Sequence, residues 1–130
     1  MKIIQAIESA DELRPGNRVS NDTKRRWLYV LDLKVYNEVF ATHEGNEAEA
    51  PTDYLTTTDT ELLIPEIDSE VYVWYLISQI DSATGESDRY NTSAERFNSL
   101  YNEFTKRYNR EHTPINNYRV HNVMAVGGIS

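Results

Sequence analysis

The 130-residue chain contains no cysteine, which removes disulfides, thiolate metal sites and cysteine nucleophiles together and fits a reducing compartment. Its five glycines form neither a GxGxxG turn nor a phosphate-binding loop, and Gly127–Gly128 has no helix behind it. Histidine is equally sparse. His43, His112 and His121 lack the HExxH spacing, and no Glu-x-x-His occurs of the kind that builds di-metal sites in bundles. No apolar run has the length needed to cross a bilayer, and the opening MKIIQAIESADEL reads as no secretory signal. Positive charge is also short: 13 Lys and Arg stand against 21 Asp and Glu, for a net charge of -8. That balance argues against broad contact with phosphate backbones. An acidic chain instead binds basic partners, imitates DNA, or lines a passage through which DNA slides without sticking.

What the sequence does contain is helical periodicity. Ile3, Ile4, Ile7 and Leu13 suit a short first helix, stopped by RPGN. Asn21 or Asp22 is placed to cap a second, DTKRRWLYVLDLKVYNEVF, whose stripe of Trp27 or Leu28, Leu31, Val35 and Val39 keeps the helical period to near Ala41. The polar stretch 42–53, with Gly45 and Pro51, reads as an exposed connector. TDTELLIP then reads as an extended piece tucked against the core, either a short strand or an irregular segment. A third helix fits 68–83, capped by Asp68 or Ser69 and stopped by Gly85. Its apolar residues surround most of the circumference, which predicts a central position in a bundle.

The fourth helix, 87–110, carries Tyr90, Ala94, Phe97, Tyr101, Phe104 and Tyr108 at alternating steps of four and three. That is the spacing of a seam facing other helices, and Pro114 marks the far side of its end. A base-stacking platform would need accompanying positive charge, so most of these rings are expected in the core. The fold expected is all-α: a small antiparallel helical bundle over 1–113 with a short extended segment, followed by an extended C-terminal tail over 114–130. In the tail, Tyr118, Val120, Val123, Met124 and Val126 form no helical seam. They either fold back or wait for a partner, with strand addition to another chain as one form of contact.

Other candidate chemistry is thin. DSATGESD at 81–88 shares composition, not ligand spacing, with a calcium loop. Acid pairs such as Asp59 and Glu61 are inevitable among so many carboxylates. Lys24, Arg25 and Arg26, near the start of the second helix, form the most basic cluster. They read as a solvated face or as a docking patch for an acidic neighbour. No catalytic residue, cofactor or metal is expected, and the chain reads as a non-enzyme.

The stretch LLIPEIDSEVYVWYLISQIDSATGESDRYNTSAERFNSLYNEFTKRYNREHTP resembles small helical head–tail connector (adaptor) proteins of tailed bacteriophages. It shares a tyrosine-rich YLISQID helix, a GESDRYN turn, and FNSLYNEFTKRYNR ending at His-x-Pro. WLYVLDLKVYNEVF is similar to the second-helix pattern, so the resemblance spans about Thr23 to Pro114. It implies a helical virion subunit that assembles as a ring under the portal protein. Such a ring meets neighbouring head–tail proteins and continues the channel through which phage DNA passes without specific binding. No membrane is involved, and the protein would sit in the host cytoplasm before assembly. The alternative is an acidic regulatory or DNA-mimic protein that binds a host DNA-processing enzyme.

Overall fold

The computed structural model describes residues 1–115. Four helices make up the body: α1 (Ile3–Leu13), α2 (Asn21–Glu38), α3 (Glu70–Ala83) and α4 (Ser87–Glu111), with short 3-10 turns at Phe40–Thr42 and Glu66–Asp68. The all-α bundle expected from the periodicity is what forms. Among the described residues, no helix is long and apolar enough to cross a membrane.

α3 lies at the centre. Val71, Tyr72, Val73, Leu76, Ile77 and Ile80 are buried on several sides of it, against Ile3, Ile7, Leu28, Val35 and Phe104. Each such side chain contributes about 1.5–3 kcal/mol of burial. α3 returns into α4 through a tight stop. Gly85 takes a positive φ of 75°, which a side chain would strain, and the Glu86 amide reaches the Asp81 carbonyl at 2.9 Å. That pairing closes the end of α3 in the Schellman manner.

The ends of the other helices are satisfied locally. Ser20, just before the expected Asn21 or Asp22, caps α2 by accepting from the Thr23 amide at 3.1 Å, an arrangement worth about 1 kcal/mol. α2 buries Leu28 rather than Trp27, which packs only half-buried at the edge of the core. α3 starts at Glu70 after Ser69, whose hydroxyl donates to the Glu66 carbonyl at 2.8 Å instead of capping the helix.

The TDTELLIP segment is extended, but it forms only an isolated bridge between Glu61 and Lys2. Thr60 and Thr58 accept from the Ile3 and Ile4 amides at 3.1 and 3.0 Å. These are amides that the first turn of α1 cannot satisfy itself. Leu62 and Ile64 are buried by this contact.

The connector after α2 is less exposed than its polar composition suggests. His43, Pro51 and Tyr54 are buried, while Glu44, Glu47, Glu49 and Asp53 face solvent. The Glu44 amide donates to the Thr113 carbonyl and the Ile115 amide to the Thr42 carbonyl, each at 2.8 Å. The chain after α4 is thereby fastened to the chain after α2 as far as Ile115.

Candidate functional site

Asp32, Asp81 and His43, all buried, each anchor a cluster of side chains in the bundle. The first centres on Asp32, fully buried on α2. Its carboxylate accepts from the Tyr54 hydroxyl at 2.5 Å, the Tyr72 hydroxyl at 2.6 Å and the Leu63 amide at 3.0 Å. The Tyr72 hydroxyl in turn accepts from the Ile64 amide at 2.7 Å. Burial raises the Asp32 pKa above its ordinary value, against the pull of its three donors. Burial and the adjacent carboxylate raise both tyrosines as well. The cluster ties α2, α3 and the connector into one piece.

The second cluster is Asp81 on α3, 1% exposed. Arg14, just past α1, grips it with two bonds at 2.7 and 3.0 Å, and Ser93 of α4 donates to it at 2.8 Å. Two parallel guanidinium bonds match carboxylate geometry in a way lysine cannot. This pair floors a cleft of about 510 Å³ between the α1 and α3 ends, which Arg89 and Glu86 also line.

The third cluster lies at the far end of the fourth-helix seam. Phe97, Tyr101, Phe104 and Tyr108 follow one another at ring separations of 5.7, 6.1 and 6.1 Å. His112 then stacks on Tyr108 at 3.8 Å. His43 meets the edge of Tyr108 at 4.8 Å, and its Nδ1 donates to the Val39 carbonyl at 2.6 Å. Its Nε2 reaches the Asn109 side-chain amide at 2.7 Å. His43 is therefore a packed structural residue rather than part of a loose connector. Among the described residues, no three His, Asp or Glu side chains come together to hold a metal ion.

The seam rings expected in the core divide along the helix. Phe104 and Tyr108 are buried, Phe97 and Tyr101 half-buried, and Tyr90 exposed. The basic cluster on α2 divides too. Lys24 is not on a solvated face: its side chain is 2% exposed and its ammonium pairs with Asp11 at 2.6 Å. Lys24 precedes Leu28 by one turn and so shares the buried stripe, with its ammonium reaching the rim. Arg25 pairs with Asp22. Arg26 alone is exposed, and no ion pair involves it among the described residues. The remaining candidate positions, Tyr118, Val120, Val123, Met124 and Val126, lie outside the described residues.

The outer surface carries a further pattern. Residues 35–88 contain 13 of the 21 acids, while all 13 lysines and arginines lie before or after that stretch. Four of these acids, Glu47, Glu49, Asp53 and Glu61, line a hollow of about 400 Å³ over Tyr54 and Leu63. This separation of charge was readable from the order of residues alone, whereas the hollow required the fold.

No family model, curated protein or solved structure matches the chain.

Proposed function

We propose that this chain is a phage head–tail connector subunit, a virion structural protein that assembles as a ring beneath the portal and extends the DNA channel. The observation that carries the reading is how the resembling stretch, Leu62 to Pro114, is folded. It forms one continuous unit of extended segment, α3, glycine stop and α4, and the rest of the bundle packs against it. Inside that unit, Tyr72 is committed to the Asp32 cluster, and Asp81 and Ser93 to the bonds with Arg14, so these polar groups hold the bundle together. Partner contacts are then left to the outer surface and to the tail. The acids of 35–88 suit a wall along which DNA moves, because carboxylates repel phosphate.

The test is electron microscopy of the purified protein mixed with its cognate portal. Rings seated on the portal are expected, and portals left bare reject the reading. Truncation after Ile115 keeps the bonds to Thr42 and Glu44 and removes Tyr118, Val120, Val123, Met124 and Val126. Loss of portal attachment with unchanged circular dichroism is expected. Unchanged attachment removes the tail from the proposal.

The acid-only stretch also favours a second reading, an acidic regulator or DNA mimic of a host DNA-processing enzyme. A pull-down from host lysate separates them: recovery of a nuclease or polymerase favours mimicry, and recovery of portal favours the connector.

A further inference from the structure

Among the described residues, nothing covers the outer face of α2 at Arg26, Val30 and Lys34. Leu28, Leu31 and Val35 turn inward, while Arg26, Val30 and Lys34, one turn apart in succession, are exposed. Spacing of four residues places these three in a single strip along the helix. The strip has an apolar centre, with Val30 52% exposed, between two cations. Neither Arg26 nor Lys34 forms an ion pair among the described residues, although the chain carries an excess of acid.

The complement of this strip stands elsewhere on the same chain. The hollow over Tyr54 and Leu63 is walled by Glu47, Glu49, Asp53 and Glu61, and among the described residues no lysine or arginine lines it. Glu61 already holds the Met1 ammonium at 2.6 Å, and Asp53 accepts from the Thr56 hydroxyl. Glu47 and Glu49 form no ion pair among the described residues. Leu55, directly after Tyr54, is 50% exposed and offers an apolar partner for Val30. Either patch laid on its own duplicate would set like charges together. Strip on hollow is the pairing that attracts.

We propose that the α2 strip of one copy docks into the acidic hollow of a second copy of this chain. This deepens the connector reading, on which it rests, by naming the two faces that meet. Strip-on-hollow contacts that are not reciprocal between two copies are head-to-tail, and such contacts repeat until the rotation closes a ring, whereas reciprocal ones close as a two-fold dimer. Arg26 and Lys34 supply the charge and Val30 the buried centre. The contact is salt-sensitive because exposed charges are screened within about 8 Å at physiological ionic strength.

Sedimentation equilibrium on the full chain at low ionic strength tests the proposal. The double variant Arg26→Glu/Lys34→Glu should weaken self-association about tenfold or more, and Glu47→Lys/Glu49→Lys should do the same. An equimolar mixture of the two variants should associate again, since the reversed strip now fits the reversed hollow. All four positions are exposed, so circular dichroism should show the same helicity throughout. A wild-type chain that stays monomeric at every concentration overturns the proposal, as does association that neither variant weakens. The connector reading is judged separately on portals. Rings that form normally from the reversed variants reject these faces and leave that reading standing. Self-association through these faces by a chain that never attaches to portal rejects that reading and leaves the faces standing.

Discussion

The Tyr72 hydroxyl donates to Asp32 at 2.6 Å and accepts from the Ile64 amide at 2.7 Å. One oxygen thus joins the central helix to α2 and to the extended segment that pairs with the start of α1. Because Tyr54 and the Leu63 amide reach the same carboxylate, the connector is held by side chains rather than by a sheet. Backbone bonds tie one side of that segment to the start of α1, and the Asp32 cluster ties its other side to α2 and α3.

Asp32→Ala should therefore lower stability by about 3 kcal/mol or more, because two buried hydroxyls and one amide lose their acceptor at once. Tyr72→Phe removes a donor and an acceptor together and should cost about 1–3 kcal/mol. Hydrogen exchange locates the damage. Amides of Leu62 to Ile64 should lose protection before those of α3 and α4. Uniform loss across the bundle would deny the cluster its local role.

The raised pKa of Asp32 sets a direction for pH dependence. The folded state holds this proton more tightly than the unfolded chain, whose carboxyl titrates near its ordinary 3.8. The stabilising effect is complete below that value and is lost as pH rises through the folded pKa. Compared with Asp32→Asn, which has no proton to exchange, the wild type should gain relative stability as pH falls from 7 toward 4. Urea midpoints of both proteins across that range supply the measurement, and a constant gap between them contradicts the shift.

Much of this arrangement was legible in the order of residues, and the exceptions share a cause. The α4 seam could be read because its steps of four and three are local, and α3 could be placed centrally because apolar groups surround it. Asp32 could not be read, since its tyrosine partners lie 22 and 40 residues away and only packing brings them together. Lys24 looked like a surface residue because two arginines follow it. Its spacing from Leu28, Leu31 and Val35 already put it on the buried stripe, and that signal was outweighed by its charge. The connector looked loose because its composition is polar. Three buried residues among acids, His43, Pro51 and Tyr54, anchor it, and composition averages them away.

Arg14 and Asp81 form the joint between α1 and the α3–α4 hairpin. Arg14→Ala strands a buried carboxylate with only Ser93 as donor, and should cost about 3 kcal/mol. Arg14→Lys keeps the charge but loses the two-bond grip, so it should recover only part of that loss. Chemical denaturation of the two variants ranks them. Equal stability of lysine and arginine at this position would show that charge alone suffices.

Lys24 and Asp11 should respond unequally. Lys24→Met keeps the stem that fills the core and removes the charge that needs a partner, so stability should change by less than about 1 kcal/mol. Asp11→Ala leaves a buried ammonium without its acid and should be the more damaging change. Asp11 is itself 41% exposed, so water softens that loss below what a fully enclosed pair would show. Thermal melts of both variants should place Lys24→Met above Asp11→Ala, and the reverse order would contradict the buried placement of the ammonium.

Tyr101 offers a change in the opposite direction. Its hydroxyl is buried with no hydrogen-bond partner among the described residues, and burial, helped by the nearby Glu38 and Asp32, pushes its pKa to about 12. Tyr101→Phe keeps the ring between Phe97 and Phe104 and removes the unsatisfied oxygen, so stability should hold or rise by about 1 kcal/mol. In alkali the folded phenol resists ionisation while the unfolded one ionises near 10. Its contribution to stability is therefore complete below pH 10 and declines as pH climbs toward 12. Phenolate absorbance of the folded protein should show a late-titrating group that Tyr101→Phe abolishes. A variant that melts well below the wild type would mean that the hydroxyl has a partner after all.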